Sequence, residues 1–544
     1  QIMNLKNSFN FIRNFKQNIK LEIRKLYFSS SFYNKKISKI EKKRLLFKPN
    51  PSIFDGLVKY NKKKKNIDEF LVSTIWEDQY INQKKYKKLH NFFWLYSIDL
   101  KSSNKITQSI IENWIDKNIM YKSQVWETNT LSKRIISWIS NSKLTYEDSS
   151  EEYKEKFNFL ICKQLNHLIN EIERSKLPDN KIIGCTAIIL AGISYKVDYY
   201  LNYGSKLLKY IISFSLDQEG FPKSRNFRQL YFYLKYFVLI RELFKEVYID
   251  VPDYLDEAIF YLGQSYNLFW QSTKISNLFN GSNEIDNSDF DTYLLDKGYN
   301  FKNLKNEIGG YVHLKNKKNS LIIDIGKPPI KKFSNNYQSG VFSFEFSYLD
   351  NKIICNSGYF QNKKHQLNNI SRSSVAHSTL ILDNSSISKF KNDSLGNKYV
   401  ESNLKIIDKK VVEDKNNWFV SASHDGYLKN YGVIHKRSLE FINKNFFLKG
   451  KDEIIKKKNF KYSQFEIRFH LLPEAKVTKT IDGKTILIEI GNTGWKFRCN
   501  DYQLEVETGL YFGKKNLYIE NKNVLISGNT HKNDQAICWE LVKI

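Results

Sequence analysis

At 544 residues the chain is longer than one hydrophobic core usually serves, so two large domains are expected. Apolar residues at 41% and aromatics at 15% exclude a disordered chain. Lys and Arg number 86 against 57 acids, and the formal charge of +29 admits a polyanionic partner: nucleic acid, anionic lipid or acidic polysaccharide. The lysines are scattered through a chain rich in Asn, Ile, Tyr and Phe, so compositional drift explains the charge at least as well.

The N-terminal stretch QIMNLKNSFNFIRNFKQNIKLEIRKLYFSSSF is basic and aromatic, without the continuous apolar core of a signal peptide. Residues 1–55 are therefore expected to form a basic N-terminal extension. Apolar residues then recur at helical spacing, as in ITQSIIENWIDKNI, FNFLICKQLNHLINEIERS and RQLYFYLKYFVLIRELFKEV. Polar breaks such as KLPDN, NYGS and DQEGFPKS separate these segments, which suits antiparallel helical hairpins over 56–290, an (α/α) incomplete toroid or bundle. The run IIGCTAIILAGISY is too short to cross a bilayer, so no transmembrane segment is expected.

Near residue 300 the period changes. GGYVHLKNKKNSLIIDIG, GVFSFEFSYLDNKIICNSG and KTILIEIGN alternate or run apolar in short pieces bounded by Gly, Asn and Asp, which predicts an antiparallel β-sandwich over 291–544. The fold class is thus α+β multidomain, with the boundary inside NGSNEIDNSDFDTYLLDKGYN. Five widely spaced cysteines without a C-x-x-C pair predict buried free thiols rather than disulfides or structural zinc.

Seven of nine histidines, from His313 to His531, fall in the predicted β domain, so proton transfer would draw on that half. His377, in SRSSVAHSTLILDN, heads a strand and could face a cleft, although a lone histidine is more often satisfied by nearby backbone. SHDGYLKNYGVIHKR concentrates His424, Tyr427 and His435 where a plain turn is equally expected. Arg468 and His470 in RFHLLPE share one strand face and suit a structural pair. Asn180 in LPDNKIIGC sits at a helix start, where capping alone would explain it. Ser224, Arg225, Asn226 and Arg228 precede an aromatic helix, a setting in which a guanidinium can hold a carboxylate bidentately. The common nucleotide, serine-hydrolase and metalloprotease motifs are missing from the sequence.

Taken together, SRSSVAHSTLILDN, GVFSFEFSYLDNKIICNSG, SHDGYLKNYGVIHKR and RFHLLPEAKV resemble the C-terminal β domain of heparinase II/III-family proteins. VWETNTLSKRIISWI, HLINEIERSKLPDNKIIGCTAIILAG and DQEGFPKSRNFRQL resemble the family's helical half. The resemblance implies a polysaccharide lyase that cleaves uronic-acid-containing chains by β-elimination, which needs a neutralised carboxylate, a base for the C5 proton and an acid for the leaving oxygen. It implies that Asn180 contacts the carboxylate with Arg225, and that Tyr231, His377 or His424 moves protons. Asn226, Gln338, Tyr427 and His435 would bind substrate. The match is incomplete: Gln229 stands where lyases carry a catalytic tyrosine, and Asn336 and Gln338 stand where they carry two histidines. Of the implied zinc ligands, Gln338 and Asn356 are replacements and His377 alone survives. Amide side chains are poor zinc ligands, so no cofactor is expected.

Two functions follow from the sequence: a lyase of acidic polysaccharide, or a noncatalytic acidic-glycan-binding or envelope-assembly protein on the same scaffold. Nucleic-acid binding is not expected. The resemblance implies the cell envelope or periplasm, and the lack of a visible signal peptide leaves the cytoplasm as the alternative.

Overall fold

The structure, a computed structural model, describes residues 19–58, 64–67, 82–393, 397–401, 403–414 and 417–544. The chain forms two compact units, one of residues 1–215, 232–262 and 287–300 and the other of residues 216–231, 263–286 and 301–544.

The first unit is helical. Its long helices, Asn104–Asn118, Thr128–Ser140, Glu151–Glu171, Pro178–Tyr195 and Asp198–Ser215, follow one another through short connections. Local chemistry sets their ends. Ser103 and Ser150 cap two of them through Ile106 N–H and Tyr153 N–H. Pro178 opens the helix Pro178–Tyr195, where its missing N–H costs nothing, and Lys196 closes it at φ 52°. Gly192 lets the next helix approach so closely that a Cβ there would lie 2.6 Å from Leu201 N.

Arg134 ties the middle of this unit together. Fully buried, it donates to His90 O (2.7 Å), Val125 O (3.1 Å) and Gln164 Oε1 (3.2 Å), and it stacks 4.3 Å from the Trp114 ring. Of the expected N-terminal extension, residues 1–18 lie outside the described residues, and residues 19–55 are instead part of this unit. Tyr33 Oη bonds His167 Nδ1 at 2.7 Å, Phe28 packs among Tyr33, Tyr121 and His167, and Leu46 N–H donates to Ser194 O. Aromatic burial, invisible in a count of charges, holds the segment down.

The second unit is an antiparallel sandwich. An eight-stranded sheet runs in the order Lys476–Lys479, Thr485–Ile490, Thr493–Arg498, Gln535–Lys543, Phe447–Lys456, Val433–Ile442, Asn417–His424 and Ile406–Glu413. A five-stranded meander, 307–354, and a four-stranded sheet built on Gln464–His470 and Ile519–Asn529 supply the other layer, and a bridge between Cys355 and His470 joins them. Alternating burial along Val433–Ile442 turns Val433, His435, Arg437, Leu439 and Phe441 inward. Trp539 fills the centre, with ring centroids 4.7 Å from Phe469 and 5.6 Å from Phe344.

A single boundary at residue 290 does not describe the chain. Segments 216–231 and 263–286 belong to the sandwich unit because their polar groups are satisfied there: Leu268 O accepts from His313 Nδ1 (2.8 Å), and Asn283 Nδ2 donates to Tyr359 O and Phe512 O (both 2.7 Å).

Candidate functional site

Three loops of the sandwich unit meet in one polar network: 222–229, 277–283 and 334–340. Arg225, at φ 57°, is buried and donates to both oxygens of Asp324 (2.6 and 3.4 Å) and to the carbonyls of Gly309, Gly310 and Lys327. Asn226 caps the helix Phe227–Glu246, its Oδ1 accepting from Gln229 N–H at 3.2 Å. Gln338 spends its whole side chain: Oε1 accepts from Gly281 N–H (2.8 Å), while Nε2 donates to Gly358 O (2.9 Å) and Ser371 O (2.5 Å). Gly281, at φ 84°, must be glycine, because a Cβ would lie 2.6 Å from Asn226 Nδ2 and 2.8 Å from Asn336 Cβ.

These contacts correct several expectations. Arg225 is not available to a substrate carboxylate, since Asp324 already occupies its fork. Gln338 is committed to backbone groups rather than to a ligand, and Asn226 commits its Oδ1 to the helix cap while its Nδ2 is buried without a partner. Tyr231 is buried against Tyr266. Tyr427 is buried with its hydroxyl donating to Leu380 O at 3.1 Å.

His424 and His435 are both 0% exposed and form a closed chain. Gly426 N–H donates to His424 Nδ1 (3.1 Å), which places the proton on Nε2, 3.1 Å from His435 Nδ1. His435 Nε2–H in turn donates to Asp452 Oδ1 at 2.7 Å. Asp452 also takes Arg437 Nε (2.7 Å), Arg437 Nη2 (3.0 Å) and Trp539 Nε1 (3.1 Å). Burial keeps both imidazoles neutral by lowering their pKa values. This network braces the core and reaches no substrate.

His377 donates from Nδ1 to Ser373 O at 2.9 Å, and burial lowers its pKa to about 4. Its Nε2 is buried without a partner. At the positions implied for zinc, that lone pair is all that remains: Asn356 Oδ1 takes Ser378 N–H (2.9 Å), Asn356 Nδ2 carries hydrogens, and Gln338 is saturated. These residues do not fit a zinc ion.

Asn180 lies in the helical unit, half-buried in the first turn of Pro178–Tyr195, with Oδ1 accepting from Asn129 Nδ2 at 2.9 Å. Leu177 holds the N-cap position, so the capping role does not fall to Asn180.

Around the loop 334–340 the sandwich unit also carries positive charge, part of it buried. Arg372 is buried with its guanidinium donating to Tyr337 O (2.9 Å) and Ser334 O (3.1 Å), stacked 4.6 Å from the Phe390 ring. Desolvation lowers its pKa, and its charge helps lower that of Lys398. Lys363 is exposed, and desolvation, then Arg372 and Arg228, bring its ammonium down to about 8. The same two guanidinium groups act on Tyr359, whose hydroxyl donates to Asn336 Oδ1 at 3.2 Å. Arg228 and Asn336 are half-buried. Lys331 lies 3.9 Å from the Tyr399 ring centroid. Lys363 lies in no motif that the sequence offers, whereas Arg372 lies inside the SRSSVAHSTLILDN block, where His377 drew the attention.

Residues 303–540 match the heparinase II/III-like C-terminal family. That C-terminal domain is heparinase II/III-like. Its fold is that of solved relatives: a structure of heparinase III superposes with a TM-score of 0.67 at 15% identity, covering 94% of this chain and 88% of the other. The heparan sulfate lyase HepC from Pedobacter heparinus gives 0.62 at 13% identity, covering 86% and 78%. An α/α toroid followed by an antiparallel sandwich is therefore the architecture of this heparinase-like chain. In sequence it is 25% identical over 235 residues to FtsZ-localized protein C of Caulobacter vibrioides, 41% of this chain and 40% of that protein. The chain thus spans about two fifths of that relative's length.

Proposed function

We propose that this heparinase-like protein binds an acidic polysaccharide through the cationic face of its sandwich unit, without the family's metal and histidine chemistry. The observation that carries the reading is exposed Lys363 within electrostatic reach of half-buried Arg228 and buried Arg372, whose charges add to desolvation in lowering its pKa and also act on Tyr359. Such a site is poised for carboxylate or sulfate groups. The groups that β-elimination would use argue against turnover, because Tyr231, His377 and His424 are buried. The test is equilibrium binding to immobilised uronic-acid polymers and to a neutral glucan. Retention on the acidic polymers alone, lost in Lys363→Met with Arg228→Gln, is expected; equal retention of wild type on the neutral glucan overturns the reading.

A second reading, β-elimination, is favoured by Lys363, whose pKa of about 8 leaves part of it neutral and able to accept a C5 proton. The C5–H electron pair would form the C4=C5 bond as the C4–O bond breaks and the leaving oxygen takes a proton. Absorbance of the unsaturated product, absent in Lys363→Met, would support it, and no product from any uronic-acid polymer removes it.

The printed name of the relative, FtsZ-localized protein C, supports a location with FtsZ, and the same location is proposed here. A fluorescent fusion that spreads evenly instead of gathering with FtsZ would remove it.

A further inference from the structure

We propose that the helix formed by residues 19–29 is a docking face for an anionic lipid bilayer. A surface helix normally turns its apolar stripe to the core and its charges to water. This one leaves apolar side chains in water beside its charges. Ile19, Ile23 and Leu26, at spacings of four and three, lie on one helical face and are 42%, 61% and 72% exposed. Tyr27 extends the stripe at 38% exposed. The opposite face is the anchored one: Phe28 is buried against Tyr33, Tyr121 and His167, and Arg24 Nε donates to Glu171 Oε2 at 3.0 Å. Rotation of the helix to hide the stripe would break both anchors. A further apolar side chain, Phe32, follows at 69% exposed, next to Lys35 and Lys36.

Charge selects the occupant. Glu22 is the only acid in the first forty residues, against nine Lys and Arg, and it pairs with Lys25 at 2.6 Å. A second copy of the chain would bring cation against cation. An anionic bilayer takes the apolar stripe into its acyl boundary and holds the flanking lysines at its headgroups. No described helix is long and apolar enough to cross a membrane, so the contact is peripheral.

The experiment is co-sedimentation of the full chain with vesicles of phosphatidylcholine containing about one-third phosphatidylglycerol, and with phosphatidylcholine alone. Wild type is expected in the pellet with the anionic vesicles only, with binding that weakens as salt is raised. The triple variant Ile19→Ser, Ile23→Ser, Leu26→Ser is expected to bind about tenfold less, with an unchanged thermal melt because the three side chains are exposed. Wild type that stays in the supernatant, equal pelleting with neutral vesicles, or a triple variant that pellets like wild type overturns the proposal. A dimer in sedimentation velocity that the triple variant converts to monomer, without vesicle binding, assigns the face to a second copy instead.

Discussion

Lys363 owes its pKa to desolvation and to like charge rather than to a partner, and that makes the proposed glycan site sensitive to pH on its alkaline side. With the ammonium brought down to about 8 by desolvation, Arg372 and Arg228, raising the pH from 7 to 9 removes a cation that Arg228 and Arg372 keep. Affinity for a uronic-acid polymer, followed by titration calorimetry, is expected to fall over that range in wild type and to stay level in Lys363→Arg. Arg225 is the contrasting case. It is buried with Asp324 as its carboxylate, so Asp324→Ala strands a guanidinium and is expected to cost roughly 3–5 kcal/mol in denaturant unfolding. The sequence offered Arg225 as an exposed fork, and nothing in SRNFRQL distinguishes it from Arg228. That Arg225 is spent on a carboxylate is decided by Asp324, almost a hundred residues away and silent in any local pattern. His377 was the better legible: its surviving place in the AHST block was visible, and so was the loss of its partners to Gln338 and Asn356. Because those amides are engaged or carry hydrogens, a chelator is expected to leave the melting temperature unchanged, as read by scanning calorimetry.

Asn226 shows how an element end can pass for a ligand site. Its carbonyl oxygen closes the first turn of Phe227–Glu246, so Asn226→Ala is expected to lower stability by about 1 kcal/mol while leaving glycan affinity intact, a pair of readouts that a substrate contact would reverse. Helix and strand existence was legible because period 3.6 gives way to alternation near residue 300, and the burial of Val433–Ile442 follows that alternation residue by residue. The N-terminal segment was not. Counting its charges made it an extension, whereas Phe28 and Tyr33 bury it and leave Ile19, Ile23 and Leu26 outside. The same apolar count fits either orientation of the helix, and only tertiary contacts choose.

At the scale of the whole molecule, a toroid and a sandwich were both implied by residues in order along the chain, but the crossings of segments 216–231 and 263–286 into the sandwich unit depend on long-range bonds that no window of sequence contains. The histidines give the two units a common weakness. Burial is the first cause in every case that lowers His90 to about 3, His167 to about 4, His313 to about 3, His377 to about 4 and His470 to about 3, and it lowers His424 and His435 as well. In the unfolded chain each returns to about 6.5. The folded pKa is the lower one, so the unfolded state binds more protons, and stability is fully present above about pH 6.5 and lost as pH falls toward the folded values. At pH 5 each of His90, His167, His313, His377 and His470 withholds a proton worth on the order of 1–2 kcal/mol to the unfolded chain. Carboxyls raised by burial, such as Asp217, oppose this with the reverse sign. Two of the seven histidines lie in the helical unit and five in the sandwich, so acid should open both rather than shed one. Melts followed by circular dichroism between pH 7.5 and 5 are expected to fall steeply below about pH 6, and His313→Gln, which gives up the Leu268 and Ser320 contacts for a group that does not titrate, should flatten that slope while lowering the melt at pH 7.5. A melting temperature that rises as the pH drops would mean that the carboxyls, not the histidines, set the acid behaviour of this fold.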